Sequence, residues 1–74
     1  MQGVVFSISM SPDTYLQYYR GSAKNILVKA EDGRRIQFPA NALQPFITAD
    51  GIHGRFRLFF DKNHKFLKLE LISN

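Results

Sequence analysis

A chain of 74 residues makes one domain, residues 1–74, with room for only a limited core. Its composition is 45% apolar and 14% aromatic, with seven Phe, which excludes a disordered chain. It has no cysteine, so neither disulfides nor a thiolate metal site brace it, and its formal charge of +4 favours anionic partners without specifying a site.

No apolar run approaches the ~18 residues of a membrane span. Met1-Gln2-Gly3-Val4-Val5-Phe6 lacks the basic stretch and small-residue cleavage site of a signal peptide. The expected location is the cytoplasm, with no membrane partner.

Val4, Phe6, Ile8 and Met10 share one parity, with Ser7 and Ser9 between them. That is a strand with one dry face, and Val5 implies partial cover on the other. Ser11-Pro12-Asp13-Thr14 starts a helix. Ser11 serves as N-cap, Pro12 sits where its missing N–H is harmless, and Asp13 faces the positive end of the dipole. The helix runs to about Arg20, and Gly21 is placed for a left-handed C-terminal cap. Tyr15, Leu16, Tyr18 and Tyr19 form its apolar stripe. So short a helix must pack on the sheet.

A second strand spans Asn25 to Ala30, with Ile26, Val28 and Ala30 in phase, and a third spans Arg34 to Phe38, with Ile36 and Phe38 in phase. A two-residue Asp32-Gly33 turn would put these faces out of phase. The loop Glu31-Asp32-Gly33, with Gly33 left-handed, pairs Val28 with Ile36 and Ile26 with Phe38. Pro39 ends the strand. Ala40-Asn41-Ala42-Leu43 forms a helical turn that stops before Pro45. Leu43, Phe46 and Ile47 cap one end of the core, and Thr48-Ala49-Asp50-Gly51 is a turn.

Residues 52–72 read as a hairpin. Apolar residues fall at alternate positions from Ile52, and Leu67, Leu69 and Leu71 do the same on the return strand. The loop Asp61-Lys62-Asn63-His64 allows either two or four residues, and both set Leu58 opposite Leu67, Phe56 opposite Leu69 and Gly54 opposite Leu71. Ser73-Asn74 is a frayed tail. The whole is an α+β domain: one short helix packed on a curled five-stranded antiparallel sheet, β-α-β-β-β-β. Gly54 offers a bend, leaving open sheet and half-barrel both open.

Several blocks together resemble a known family. They are Tyr18-Tyr19-Arg20-Gly21-Ser22-Ala23, Asp32-Gly33-Arg34-Arg35-Ile36-Gln37-Phe38-Pro39-Ala40, Leu43-Gln44-Pro45-Phe46, and Gly51-Ile52-His53-Gly54-Arg55-Phe56 with Phe60-Asp61. The chain is similar, over about residues 4–72, to a small family of bacterial domains of unknown function, found mainly in gammaproteobacteria as short stand-alone proteins. The resemblance implies a compact cytoplasmic domain and carries no catalytic residues.

The inferred hairpins set Lys29 opposite Arg35 and Arg57 opposite Lys68. Like charges across strands repel, so their tolerance points to cations gathered for an anion. Phe59, expected opposite Phe66, shares the outer face with Arg55 and Arg57. Lys29, Arg35, Arg55, Arg57, Lys68 and Phe59 are therefore candidate residues for binding nucleic acid or another polyanion, with cations on phosphates and rings under bases. The plainer alternative has Glu70 opposite Arg55, cations splayed into solvent, and the rings as a second small core.

Arg34-Arg35 beside Gly33 is a further anion candidate or a solvated hairpin end. Tyr15, Tyr18 and Tyr19 make either a partner-binding face or two packed rings and one on the surface. His53 and His64 lie far apart in the hairpin, and no metal-ligand spacing is present. Ser7, Ser9, Ser11, Ser22 and Ser73 have no evident His partner, and no phosphate loop occurs. The chain reads as a non-enzyme without cofactor or metal. Two functions remain: a nucleic-acid or polyanion module on the basic face, and a protein-interaction or regulatory module, including a homodimer, using a sheet edge or the tyrosines.

Overall fold

The computed structural model describes residues 2–21 and 24–73. Its elements are strand β1 (Gln2–Met10), helix α1 (Pro12–Arg20), strands β2 (Asn25–Lys29) and β3 (Arg35–Pro39), a 3-10 helix (Ala40–Phe46), and strands β4 (Ile52–Phe60) and β5 (Phe66–Ser73). The α+β reading holds. The five antiparallel strands are divided between a sheet in the order β1-β4-β5 and the hairpin β2-β3, and the sheet is not closed into a barrel among the described residues. Ser73 belongs to β5, and Asn74 lies outside the described residues.

Alternation fixes the layers. Val4 and Phe6 on β1, and Ile52, Phe56, Leu58 and Phe60 on β4, point inward and are buried. Ile26 and Phe38 cover them from the hairpin. The layers meet through rings: Phe6 lies 5.4 Å from Phe38 and 5.8 Å from Phe56, and Phe38 stacks on Phe66 at 6.4 Å. Outside the rings, Glu31 N–H donates to the Val5 carbonyl at 2.7 Å, tying the hairpin loop to the edge of β1.

The β2-β3 register matches the hydrophobic pattern, with Ile26 opposite Phe38 and Val28 opposite Ile36. Gly33 has φ +94°, and Ala30 N–H donates to Arg34 O across the loop. Ser11 caps α1 as the sequence indicates, its hydroxyl accepting from Thr14 N–H at 3.2 Å.

Four expectations change. Gly21 is extended, at φ −73° and ψ 170°, rather than left-handed; a Cβ there would meet the Gln17 carbonyl oxygen at 2.6 Å, so glycine is required by close approach. The 3-10 helix runs through Pro45 to Phe46. The tyrosine stripe does not lie on the sheet as one face. Only Tyr15 is buried, donating to the Ala40 carbonyl at 3.1 Å, while Leu16, Tyr18 and Tyr19 are exposed.

The fourth is the β4-β5 register. Leu58 faces Leu69 and Phe56 faces Leu71, two residues on from the expected pairing. Asp61 is the cause. Its Oδ1 accepts from Asn63 N–H at 2.8 Å and Lys65 N–H at 3.0 Å, and His64 takes the left-handed position at φ 64°. The turn closes one residue later, by Asp61 N–H to Lys65 O, so that Phe60 meets Phe66. A bulge at Leu67 then adds the second residue, and Phe59 meets Lys68. Two single slips restore parity, so the inner face of β4 survives while Leu67 turns out, 48% exposed.

Phe56 is 1% exposed, with Phe6 on one side and Phe46 edge-on at 5.3 Å. Phe56→Ala is expected to lower unfolding free energy by about 3–5 kcal/mol in a denaturant titration; an unchanged midpoint would mean the ring is not in the core.

Two left-handed glycines should respond differently. A Cβ at Gly33 meets nothing within 4 Å, whereas one at Gly51 (φ +100°) would overlap the Met10 carbonyl oxygen. Gly33→Ala should lose about 1–2 kcal/mol, the left-handed penalty alone. Gly51→Ala must also push β1 away from the turn and should lose clearly more. Equal melting temperatures for the two variants would contradict this.

Candidate functional site

β4 is the central strand, so its outward side chains lie in the middle of the solvent-facing side of the three-stranded sheet. Arg55, Arg57 and Phe59 stand there in sequence, with Ser7, Val5 and Gly3 opposite them on β1. On β5, Lys68 faces Phe59 and Glu70 faces Arg57. The expected Arg57–Lys68, Arg55–Glu70 and Phe59–Phe66 pairings are therefore replaced, because of the longer turn and the Leu67 bulge.

The charges on this face are largely answered. Arg55 makes a bidentate pair with Glu31 across the β1 edge, at 2.6 Å from Nε and 2.8 Å from Nη2. The hydrogen bonds from Arg55 hold the Glu31 carboxyl below its usual range, and Glu31 in turn raises the guanidinium. Lys68 Nζ reaches Glu70 at 3.5 Å and lies 4.9 Å over the Phe59 ring. The other flank of that ring lies against Gly3, where an added Cβ would be 3.4 Å from Phe59 Cδ1. A base stacking on Phe59 must displace the ammonium.

Lys29 and Arg35 do face each other, on the outer side of β2-β3, and neither forms an ion pair among the described residues. Their hairpin packs on the inner side of the three-stranded sheet, so they are not brought together with Arg57, Phe59 and Lys68. The six candidate residues make two surfaces; Lys29 and Arg35 on one, and Arg57 on the other, form no ion pair among the described residues.

Arg34 and Arg35 also border a groove of about 510 Å³ at the open end of the molecule, floored by Val4, Ile36, Leu58, Phe60 and Phe66 and closed by His64. His64 stacks on Phe60 at 5.6 Å. Arg34 is held within its own loop: its Nε donates to Asp32 Oδ2 at 2.8 Å, and its N–H to Oδ1 at 3.0 Å. These bonds lower the Asp32 carboxyl. The turn is knit to itself rather than left as a bare guanidinium pair.

The register also joins groups the sequence kept apart. Ser9 lies opposite His53, with Oγ to Nδ1 at 2.8 Å, and His53 Nε2 lies 2.7 Å from the Asp50 carbonyl oxygen. A carbonyl only accepts, so Nε2 donates to it, and in the neutral ring Nδ1 then accepts from the Ser9 hydroxyl. This is the hydrogen bond of a base-oriented hydroxyl, but it is water-exposed at the sheet's rim. It ties β1 to the turn that begins β4. The β1-β4 pairing was the signal that would have revealed it. No group of three or more His, Cys, Asp or Glu suited to a metal occurs among the described residues. Nor is any helix among them long and apolar enough to cross a membrane.

The last feature is β5 itself. Among the described residues its backbone bonds only to β4, leaving its other edge unpaired along eight residues. Leu67, Leu71 and Ile72 are exposed on it. Sequence reading placed leucines 67, 69 and 71 in the core, and so hid this edge.

The model of a family described as "Protein of unknown function (DUF2835)" matches residues 2–72. The chain belongs to this family. No curated protein and no solved structure matches it. For this DUF2835 domain, the site must therefore be read from its own geometry.

Glu31, Asp32 and Asp61 all have lowered carboxyl pKa values, Asp61 through the backbone N–H groups of Lys65 and Asn63. The folded state then binds fewer protons than the unfolded state in acid. Stability from these groups is present above the unfolded values of about 4 and is lost as pH falls through the lower folded values. Denaturant midpoints should drop below about pH 4, and Asp61→Asn should drop less steeply. An identical acid profile for that variant would exclude Asp61 from the effect.

Proposed function

We propose that this DUF2835 domain is a non-catalytic protein-interaction module that adds a partner strand to the free edge of β5. One observation carries the reading: an eight-residue edge strand that exposes Leu67, Leu71 and Ile72. Edge strands present unpaired N–H and C=O groups, and proteins that do not use them shield them with charge, proline or cover. Here exposed Leu67, Leu71 and Ile72 alternate with one charge of each sign, Lys68 and Glu70, and the exposed apolar side chains support strand addition.

A second reading rests on Lys29 and Arg35, whose charges meet no carboxylate among the described residues. With the net charge of +4, this pair favours binding of nucleic acid or another polyanion. The Arg57–Phe59–Lys68 face supports it less, because Glu31 already holds Arg55 and Glu70 already meets Lys68, leaving Arg57 as its one cation without an ion pair among the described residues.

An NMR titration of labelled protein compares the two. A synthetic peptide with the sequence of residues 65–73 should shift amides of β5 and leave Lys29 and Arg35 unmoved. A short single-stranded oligonucleotide should leave β5 unmoved. Oligonucleotide shifts at Lys29, Arg35, Arg57 and Lys68 that reverse with salt, with none from the peptide, would transfer the function to polyanion binding.

A further inference from the structure

The sequence of β5 is nearly palindromic in chemistry about Leu69: Leu67 mirrors Leu71, Lys68 mirrors Glu70, and Phe66 mirrors Ile72. We infer that the strand added at this edge is β5 of a second copy of the chain, antiparallel, about a twofold axis at Leu69. This rests on the strand-addition reading and names its occupant.

A twofold interface must be self-complementary, so that residue i meets j and j meets i. Few strands satisfy that with charge. Centred on Leu69, antiparallel pairing sets Lys68 opposite Glu70 of the partner subunit, and Glu70 opposite Lys68 of the partner subunit. Both lie on the outer face, since Lys68 and Glu70 face Phe59 and Arg57 across β4. Within one copy the two side chains already sit 3.5 Å apart. The second copy would complete a ring of four alternating charges. On the inner face, Leu69 meets its own counterpart.

The backbone agrees with that centre. Register with β4 is unbroken from Lys68 to Leu71 and slips on either side of it. The regular stretch contains the proposed centre, and the slips confine the pairing to it. A centre at Lys68 or Glu70 would place like charges on the axis. The β1 edge offers no such match, because Glu31 already bonds to Val5 there. The product is a six-stranded sheet, β1-β4-β5-β5-β4-β1, with both hairpins on the same side.

The test is sedimentation equilibrium from micromolar to about 1 mM, on wild type, Lys68→Glu, Glu70→Lys and the double charge swap. Wild type should approach twice its 8.5 kDa mass. Each single swap turns two attractive cross-strand pairs into like-charge pairs and should weaken association roughly 10- to 100-fold. The double swap restores opposite charges and should recover the wild-type constant. Both positions are solvent-exposed, and circular dichroism melts confirm that each variant is folded.

Three results would overturn the proposal. A wild-type chain that stays monomeric while the 65–73 peptide still shifts β5 removes the second copy but keeps the strand-accepting edge. Monomer together with no peptide shift removes both readings. A dimer that the double swap fails to rescue rejects the register at Leu69.

Discussion

The Phe6 ring holds this fold together. β2-β3 shares no ladder with the three-stranded sheet, so the layers depend on side chains for their union. Phe6 touches Phe38 above and Phe56 beside it, and Phe38 continues to Phe66. One contact set thus reaches β1, β3, β4 and β5. A chain with no cysteine has no covalent substitute for it. The offset and tilted ring pairs also fix orientation, as simple area burial does not. The Glu31–Val5 hydrogen bond and the Arg55–Glu31 pair then pin the hairpin loop to the β1 edge. Both groups of that ion pair are about half exposed, so its part is to fix geometry more than to add stability.

This constraint explains why the basic surface is less available than its residue count implies. A short chain has few long side chains, and several are used to close its loops. Arg55 reaches across β1 to hold Glu31, and Arg34 folds back on Asp32. Lys68 covers the Phe59 ring that would otherwise face water. A net charge of +4 remains, but it is spread over two faces and partly committed.

The legible parts of the fold were those set by pattern over several residues. The β2-β3 register followed from the phase of Ile26, Val28, Ile36 and Phe38, which only a left-handed Gly33 could reconcile. The α1 cap followed from Ser11-Pro12. The illegible parts were set by single hydrogen bonds. Asp61 chose a longer turn by taking two backbone N–H groups, and placed a histidine where glycine or asparagine is usual. Leucine periodicity could not report this, because a second slip at Leu67 restored the parity that periodicity measures. The candidate site suffered most: which charges oppose one another depends on register, and the two slips together exchanged Lys68 for Glu70 opposite Arg57. Pairing of β1 with β4, on which Ser9–His53 depends, spans the chain and leaves no local mark.

The sheet's two edges fare differently under the same constraint. β1 is the edge the hairpin loop must cross, and there Glu31 takes the Val5 carbonyl while its carboxylate is clamped by Arg55. Closing that edge uses the loop, whereas no other element among the described residues gives β5 a backbone hydrogen bond on its outer edge. β5 comes last among the strands, and of its side chains Phe66 and Leu69 pack against the core cluster. Leu71 and Ile72 are left in water by topology rather than by composition. Charge at Lys68 and Glu70 keeps such an edge from pairing in any arbitrary register, since a strand offset by one residue meets charge with leucine, and one offset by two meets like with like. An edge that is apolar enough to pair and charged enough to discriminate has the two properties a specific strand interface needs.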